Sequence, residues 1–212
     1  FLVVLIGILI AFQLNKCSDD RTKAELIENH LLQITSECEE NRKKLRLSMN
    51  RIQTQLANCD SLLEETSRRE SPEKVRNFAT ALLDMRNVDL ARNAYKVLVE
   101  SGDIRYLSDY EVKRNIISMY DSFEKVTQIN QSNQNNQNLY DNHFYPYIKS
   151  NFDLINWSKL RIRSKAEEEA YYSREFANTI STYRFLLLAK ERIYKAQKEE
   201  IDAYLGNLTP RE

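Results

Sequence analysis

Glycine and proline are nearly absent. Three of each stand among 212 residues, where an average composition would place about 25 in all. Tight hairpins consume glycine because their turns need positive φ angles, and phosphate-cradling loops need it for close backbone approach. With glycine only at positions 7, 102 and 206, no Walker loop, dinucleotide fingerprint or nucleophile elbow can be written. Barrels, sandwiches and Rossmann sheets are disfavoured on the same ground. A charge excess of one sign is missing too, since 31 basic and 31 acidic residues cancel. That argues against nucleic-acid binding, which rests on a basic surplus, and against an acidic disordered tail. Histidine is scarce. His30 and His143 lie far apart and read as partly solvated helix positions. No H-E-x-x-H or paired Glu-x-x-His pattern occurs, so a carboxylate-bridged di-metal bundle is not encoded. No cofactor or metal is expected, and no catalytic constellation emerges.

What is present begins with an apolar run. Phe1, Leu2, Val3, Val4, Leu5, Ile6, Gly7, Ile8, Leu9, Ile10, Ala11 and Phe12 carry no polar side chain, and Gln13-Leu14-Asn15-Lys16 closes the run. A membrane-spanning helix takes about 20 apolar residues. The run therefore reads as the exit half of a transmembrane helix that starts upstream of Phe1. Residues 1–15 are assigned to this anchor and 16–212 to an extramembrane helical domain. From Lys16 to Glu28 three basic residues (Lys16, Arg21, Lys23) face four acidic ones (Asp19, Asp20, Glu25, Glu28). Cytoplasmic flanks carry a lysine and arginine excess, so the domain is expected on the far side of a bacterial inner membrane, in the periplasm.

Helical periodicity follows at once. Ile27, Leu31, Ile34, Cys38, Leu45, Met49, Ile52, Leu56, Cys59 and Leu63 are spaced by threes and fours, or by seven where Asn41 interrupts. A helix to about Thr66 would be roughly 100 Å long. Ser71-Pro72-Glu73 has the chemistry of a helix start. The next arm is expected over 72–101, with a break or kink at Asn87-Val88-Asp89, a second piece striped by Leu90, Ala94, Val97 and Leu98, and Gly102 as a left-handed cap. Ser108-Asp109-Tyr110-Glu111 reads as a capping box opening an arm over 109–145. Gln128–Asn138 (QINQSNQNNQN) is read as its polar continuation, with a flexible loop as the alternative; Pro146 disrupts or ends it. A last helix is expected over 165–205, with Gly206-Asn207 as its cap and Pro210 beyond. No strand candidate alternates cleanly. The fold class expected is all-α: a transmembrane helix continuing into a long, extended, antiparallel four-helix bundle with up-down-up-down order.

Some segments carry a family likeness. Leu2–Asn15 (LVVLIGILIAFQLN) resembles the signature span of small single-span proteins common in Bacteroidota, described as a domain of unknown function. Tyr95–Tyr106 (YKVLVESGDIRY) and Ile116–Phe123 (IISMYDSF) are similar to that family's other recurrent pieces. Lys16-Cys17 departs from the tryptophan that often follows the asparagine there. The resemblance implies a membrane-anchored helical protein and brings no activity with it.

The remaining side chains with chemistry to offer are few. Cys17, Cys38 and Cys59 repeat at 21-residue intervals along one helix. They are too far apart to bridge one another, each pair being roughly 30 Å apart. They read either as small core residues or as disulfide partners between identical helices in a parallel dimer. Glu37, Glu39 and Glu40, like Glu199 and Glu200, read as solvated helix faces. Phe144, Tyr145, Tyr147, Phe152 and Trp157 cluster around Pro146, followed by the basic run Lys159, Arg161, Arg163 and Lys165. These residues would cap the core or offer a surface to a partner or ligand.

Three functional classes are weighed. The leading one is a non-catalytic scaffold or accessory subunit of an envelope complex. Its partners would be the lipid bilayer and other membrane or envelope proteins, or further copies through helix faces, with no nucleic acid. The alternative is a periplasmic ligand-sensing bundle coupled to its membrane helix. An enzyme is the least supported of the three.

Overall fold

A computed structural model describes residues 2–83, 86–131, 144–152 and 165–208. Among the described residues the chain is all-α, with 89% in helix and no strand. The helices are α1 (Leu2–Arg68), α2 (Pro72–Ala81), α3 (Asn93–Glu100), α4 (Tyr110–Gln131), α5 (Tyr145–Asn151), α6 (Lys165–Tyr171) and α7 (Arg174–Leu208), with a 3-10 turn at Asp103–Tyr106.

At 67 residues α1 is about 100 Å long. No glycine or proline interrupts it after Gly7, and its stripe of threes and fours gives it a buried face. It stops at Arg69, whose φ of 57° is left-handed. The Arg69 N–H donates to the Glu65 carbonyl at 2.9 Å, so arginine fills a capping position that glycine usually holds. Ser71 then caps α2 as its sequence predicts: its hydroxyl accepts from the Lys74 N–H, and Pro72 occupies the first turn.

Several boundaries differ from the expectation. The arm over 72–101 is two helices, and the break or kink expected at Asn87-Val88-Asp89 is a break, since residues 86–92 are non-helical. Val97, expected on the packed stripe, is 51% exposed. Gly102 does take a left-handed φ of 77° after α3. The cap of α4 is Asp109 rather than Ser108, its Oδ1 accepting from the N–H groups of Glu111 and Val112. Pro146 opens α5 instead of ending a helix. The expected helix over 165–205 is α6 and α7, broken at Ser173. The Ser173 hydroxyl accepts from Phe176 N–H at 3.0 Å and so starts a new helix. That helix continues through Gly206-Asn207 to Leu208. Residues 132–143 and Pro210 lie outside the described residues, and with them most of the Gln128–Asn138 expectation.

The chain forms two compact units. The first comprises residues 1–42, 91–121 and 201–212. Ile34, Cys38, Leu98, Leu107, Ile116, Met119, Tyr120, Ile201 and Tyr204 are its buried apolar residues. Contacts set the helix directions. Ala94 N–H donates to Glu37 and Asp103, beyond the end of α3, meets His30, so α3 runs against α1. Tyr106 lies by Lys23 and Tyr120 by Glu37, so α4 runs with α1.

The second unit comprises residues 43–90 and 122–200. Leu45, Ile52, Cys59, Leu62, Val75, Leu82, Phe123, Val126, Ile180, Leu186 and Leu187 are among its buried side chains. Here α7 runs against α1, since Arg184 pairs with Asp60 at 2.6 Å while Glu191 meets Gln53 at 3.4 Å.

Candidate functional site

The feature least explained by folding alone is the start of α1. Val4, Leu5, Ile6, Ile8, Leu9, Ile10, Phe12 and Leu14 are 47–67% exposed, and no other element among the described residues covers them. Fully burying side chains of this size is worth about 1.5–3 kcal/mol each, so the set leaves on the order of 10–20 kcal/mol of transfer free energy unused in water. Ile6, Leu9, Ile10, Gln13, Leu14 and Cys17 line one open face of this segment. No helix among the described residues is long and apolar enough to cross a membrane. Residues 15–22 and 24–26 are exposed as well. The first packed positions are Lys23, over the Tyr106 ring, and His30, whose Nε2 lies 3.0 Å from Asp103 Oδ2.

The aromatic set around Pro146 divides. Phe144 is buried and stacks on Tyr183 at 5.1 Å. Phe152 is buried against Tyr171 and Phe176, at 4.4 and 5.5 Å. Tyr147 stacks on Phe176, and its hydroxyl donates to the Ala170 carbonyl at 2.7 Å and meets the Ser173 hydroxyl at 2.8 Å. These three pin α5 onto the α6–α7 corner and close the core there. Tyr145 is the exposed member. Trp157, Lys159, Arg161 and Arg163, and His143, lie outside the described residues.

The cysteines divide too. Cys38 and Cys59 are buried and Cys17 is exposed, all as free thiols. Burial pushes the thiols of Cys38 and Cys59 up to about 12, which leaves them inert at neutral pH. Only Cys17 is open to a partner thiol.

Three polar residues do more than their sequence positions announce. Glu37 is not a solvated face like its neighbours. One carboxylate oxygen accepts from the Tyr120 hydroxyl at 2.6 Å and the other from Ala94 N–H at 3.0 Å. It thereby caps α3, which has no side-chain cap of its own. Burial, then the Glu37 hydrogen bond, pushes the Tyr120 phenol upward. Asn41, the interruption in the α1 stripe, is fully buried. Its amide accepts from Ala91 N–H and donates to Ala91 C=O, both at 2.8 Å. Lys190 is only 2% exposed, with its ammonium on Asn87 Oδ1 at 2.6 Å, and burial lowers it to about 8.

Among the described residues no group of three or more His, Cys, Asp or Glu side chains is placed to hold a metal ion. Compared with known proteins, this chain matches no family model, no curated protein and no solved structure.

Proposed function

We propose that this protein is a non-catalytic, membrane-anchored helical bundle acting as a scaffold or accessory subunit of a cell-envelope complex. The apolar start of α1 enters the bilayer of a bacterial inner membrane. The remainder stands on the periplasmic side, as the balanced charge of Lys16–Glu28 favours. The bundle has four arms in up-down-up-down order: α1, then α2 with α3, then α4, then α7. This order is supported by α3 running against α1, and α4 with it, in the first unit, and by α7 running against α1 in the second. The family likeness of Leu2–Asn15 points the same way.

One observation carries the reading: eight large apolar side chains stand uncovered on a helix that continues without a break into a packed core. Lipid covers such a segment without requiring another protein element. The test is flotation of the full chain with phosphatidylcholine vesicles, followed by purification of the native protein in mild detergent. Anchoring predicts co-flotation that resists high salt. The scaffold role predicts that other envelope proteins, or further copies, come through purification with it. A chain that stays at the bottom of the gradient ends the anchor reading, and a clean monomer ends the scaffold reading.

A further inference from the structure

The open face at the start of α1 has a register. Ile6, Ile10, Gln13 and Cys17 follow one another at intervals of four, three and four residues, the spacing of a seam between two supercoiled helices. Leu9 and Leu14 flank that seam on the same face. At about 100° per residue, Val4, Ile8 and Phe12 lie on the opposite side of the helix. The two sides differ in chemistry. Val4, Ile8 and Phe12 are purely apolar and exposed, as a lipid-facing surface is. The seam carries an exposed amide and an exposed free thiol one turn apart. An amide on a membrane helix is stabilised by hydrogen bonding to another helix.

A second copy of this chain fits this face on two counts. Chains anchored in one membrane share one direction, so a pair of them sets like residue against like across a two-fold axis. Gln13 then meets Gln13, and an amide carries both donor and acceptor for that meeting. Cys17 likewise meets Cys17, and facing seam residues of a parallel pair come within the roughly 4.4–6.8 Å Cα separation of a disulfide. The next seam position is Asp20, where two facing aspartates repel, so the contact closes at Cys17. With roughly 100 Å² exposed on each of Ile6, Leu9, Ile10 and Leu14, such a pair buries about 800 Å² in all, short of the about 1,200 Å² of stable interfaces. Packing alone therefore gives a weak pair, and covalent closure makes it lasting.

We infer that α1 pairs in parallel with α1 of a second copy along Ile6, Ile10, Gln13 and Cys17, and that a Cys17–Cys17 disulfide closes the pair. The pair rests on the anchoring proposed above, which fixes the shared direction. Forming the S–S bond releases two thiol protons and two electrons. The disulfide of a thiol–disulfide oxidoreductase accepts them and becomes a dithiol.

The test uses the full chain in phosphatidylcholine vesicles, with diamide as a lipid-permeant two-electron acceptor and non-reducing electrophoresis as the readout. A band at twice the 25.1 kDa of the chain should form, vanish on reduction and be missing in Cys17→Ser. Position then separates a seam from random collision. In the Cys17→Ser background, Gln13→Cys should cross-link as Cys17 does. Lys16→Cys and Ser18→Cys, within about 1.5 Å of the same depth but turned about 100° to either side, should cross-link several-fold more slowly. Equal rates at all four positions overturn the inference and leave the face to lipid. So does the absence of a dimer band. Flotation of the reduced chain is scored first. A chain that does not float overturns the anchor and, with it, the parallel register; one that floats without a positional preference overturns the pair alone. All four positions are exposed, so unchanged helical circular dichroism is the check that the variants fold.

Discussion

Lys190 sets the clearest residue-scale test. Its folded-state value of about 8 lies below the ordinary 10.5, because burial disfavours the charged form. Between those values the unfolded chain holds a proton that the folded chain has released. The Lys190 contribution to stability therefore rises with pH from about 8 to 10.5, and is lost again as pH falls through 8. The size is about 3 kcal/mol at most. Lys190→Met should flatten this rise and be more stable than the parent at pH 7, as read from urea midpoints across that pH range. A parent-minus-variant difference that does not change between pH 8 and 10 would contradict the assignment, whereas the parent midpoint alone also carries the opposing effect of the buried Cys38 and Cys59 thiols above pH 9. The thiols give a second test at this scale. The folded chain should react with a maleimide once, at Cys17, and three times in denaturant, counted by mass. That pattern separates the two roles left open for the cysteines: Cys38 and Cys59 serve as core, and Cys17 alone can serve a partner.

At the scale of the element, the helices were legible where periodicity and capping chemistry agree. The α1 stripe, Ser71-Pro72 and Gly102 behave as their residue types dictate. The errors fall where a tertiary partner, not a local pattern, decides. Residues 86–92 leave the helix because side chains elsewhere satisfy their backbone. In the first unit Asn41 pairs both groups of Ala91. In the second, Asn130 donates to Val88 C=O at 2.6 Å, while the Val88 N–H donates to the Tyr194 hydroxyl at 3.4 Å. The sequence shows an asparagine breaking a stripe, but nothing in it names the carbonyl that asparagine meets. Completing the stripe with Asn41→Leu would be stabilising by periodicity alone. It should instead cost about 1–3 kcal/mol, because it leaves both backbone groups of the half-buried Ala91 without their asparagine partner. Ser173 is different, since its cap is local: its hydroxyl accepts from the Phe176 N–H three residues on. Ser173→Ala should cost about 1–2 kcal/mol, because it removes both the α7 cap and a partner of Tyr147. Thermal or urea unfolding measures both substitutions, and an Asn41→Leu variant as stable as its parent would refute the backbone-pairing account.

At the scale of the whole molecule, glycine at only three positions leaves no room for the glycine-dependent phosphate and nucleophile loops. The apolar run of α1 is the candidate functional feature that both sequence and structure single out, being apolar and exposed. The contact of Lys23 with the Tyr106 ring was not legible, because it joins residues more than 80 positions apart and has no motif. Membrane attachment and folding should be separable in this protein. Ile6 and Ile10 are about half exposed, and no other described element covers them. A charged residue within a membrane helix costs about 2.5–3.5 kcal/mol near its centre. The double variant Ile6→Asp with Ile10→Asp should therefore shift the chain from the floating to the soluble fraction of a vesicle gradient. Its unfolding transition should move by less than about 1 kcal/mol, since surface substitutions away from packed contacts change little. If the variant unfolds early, the start of α1 is part of the core and not an anchor. If it folds normally and still floats, attachment resides elsewhere in the chain.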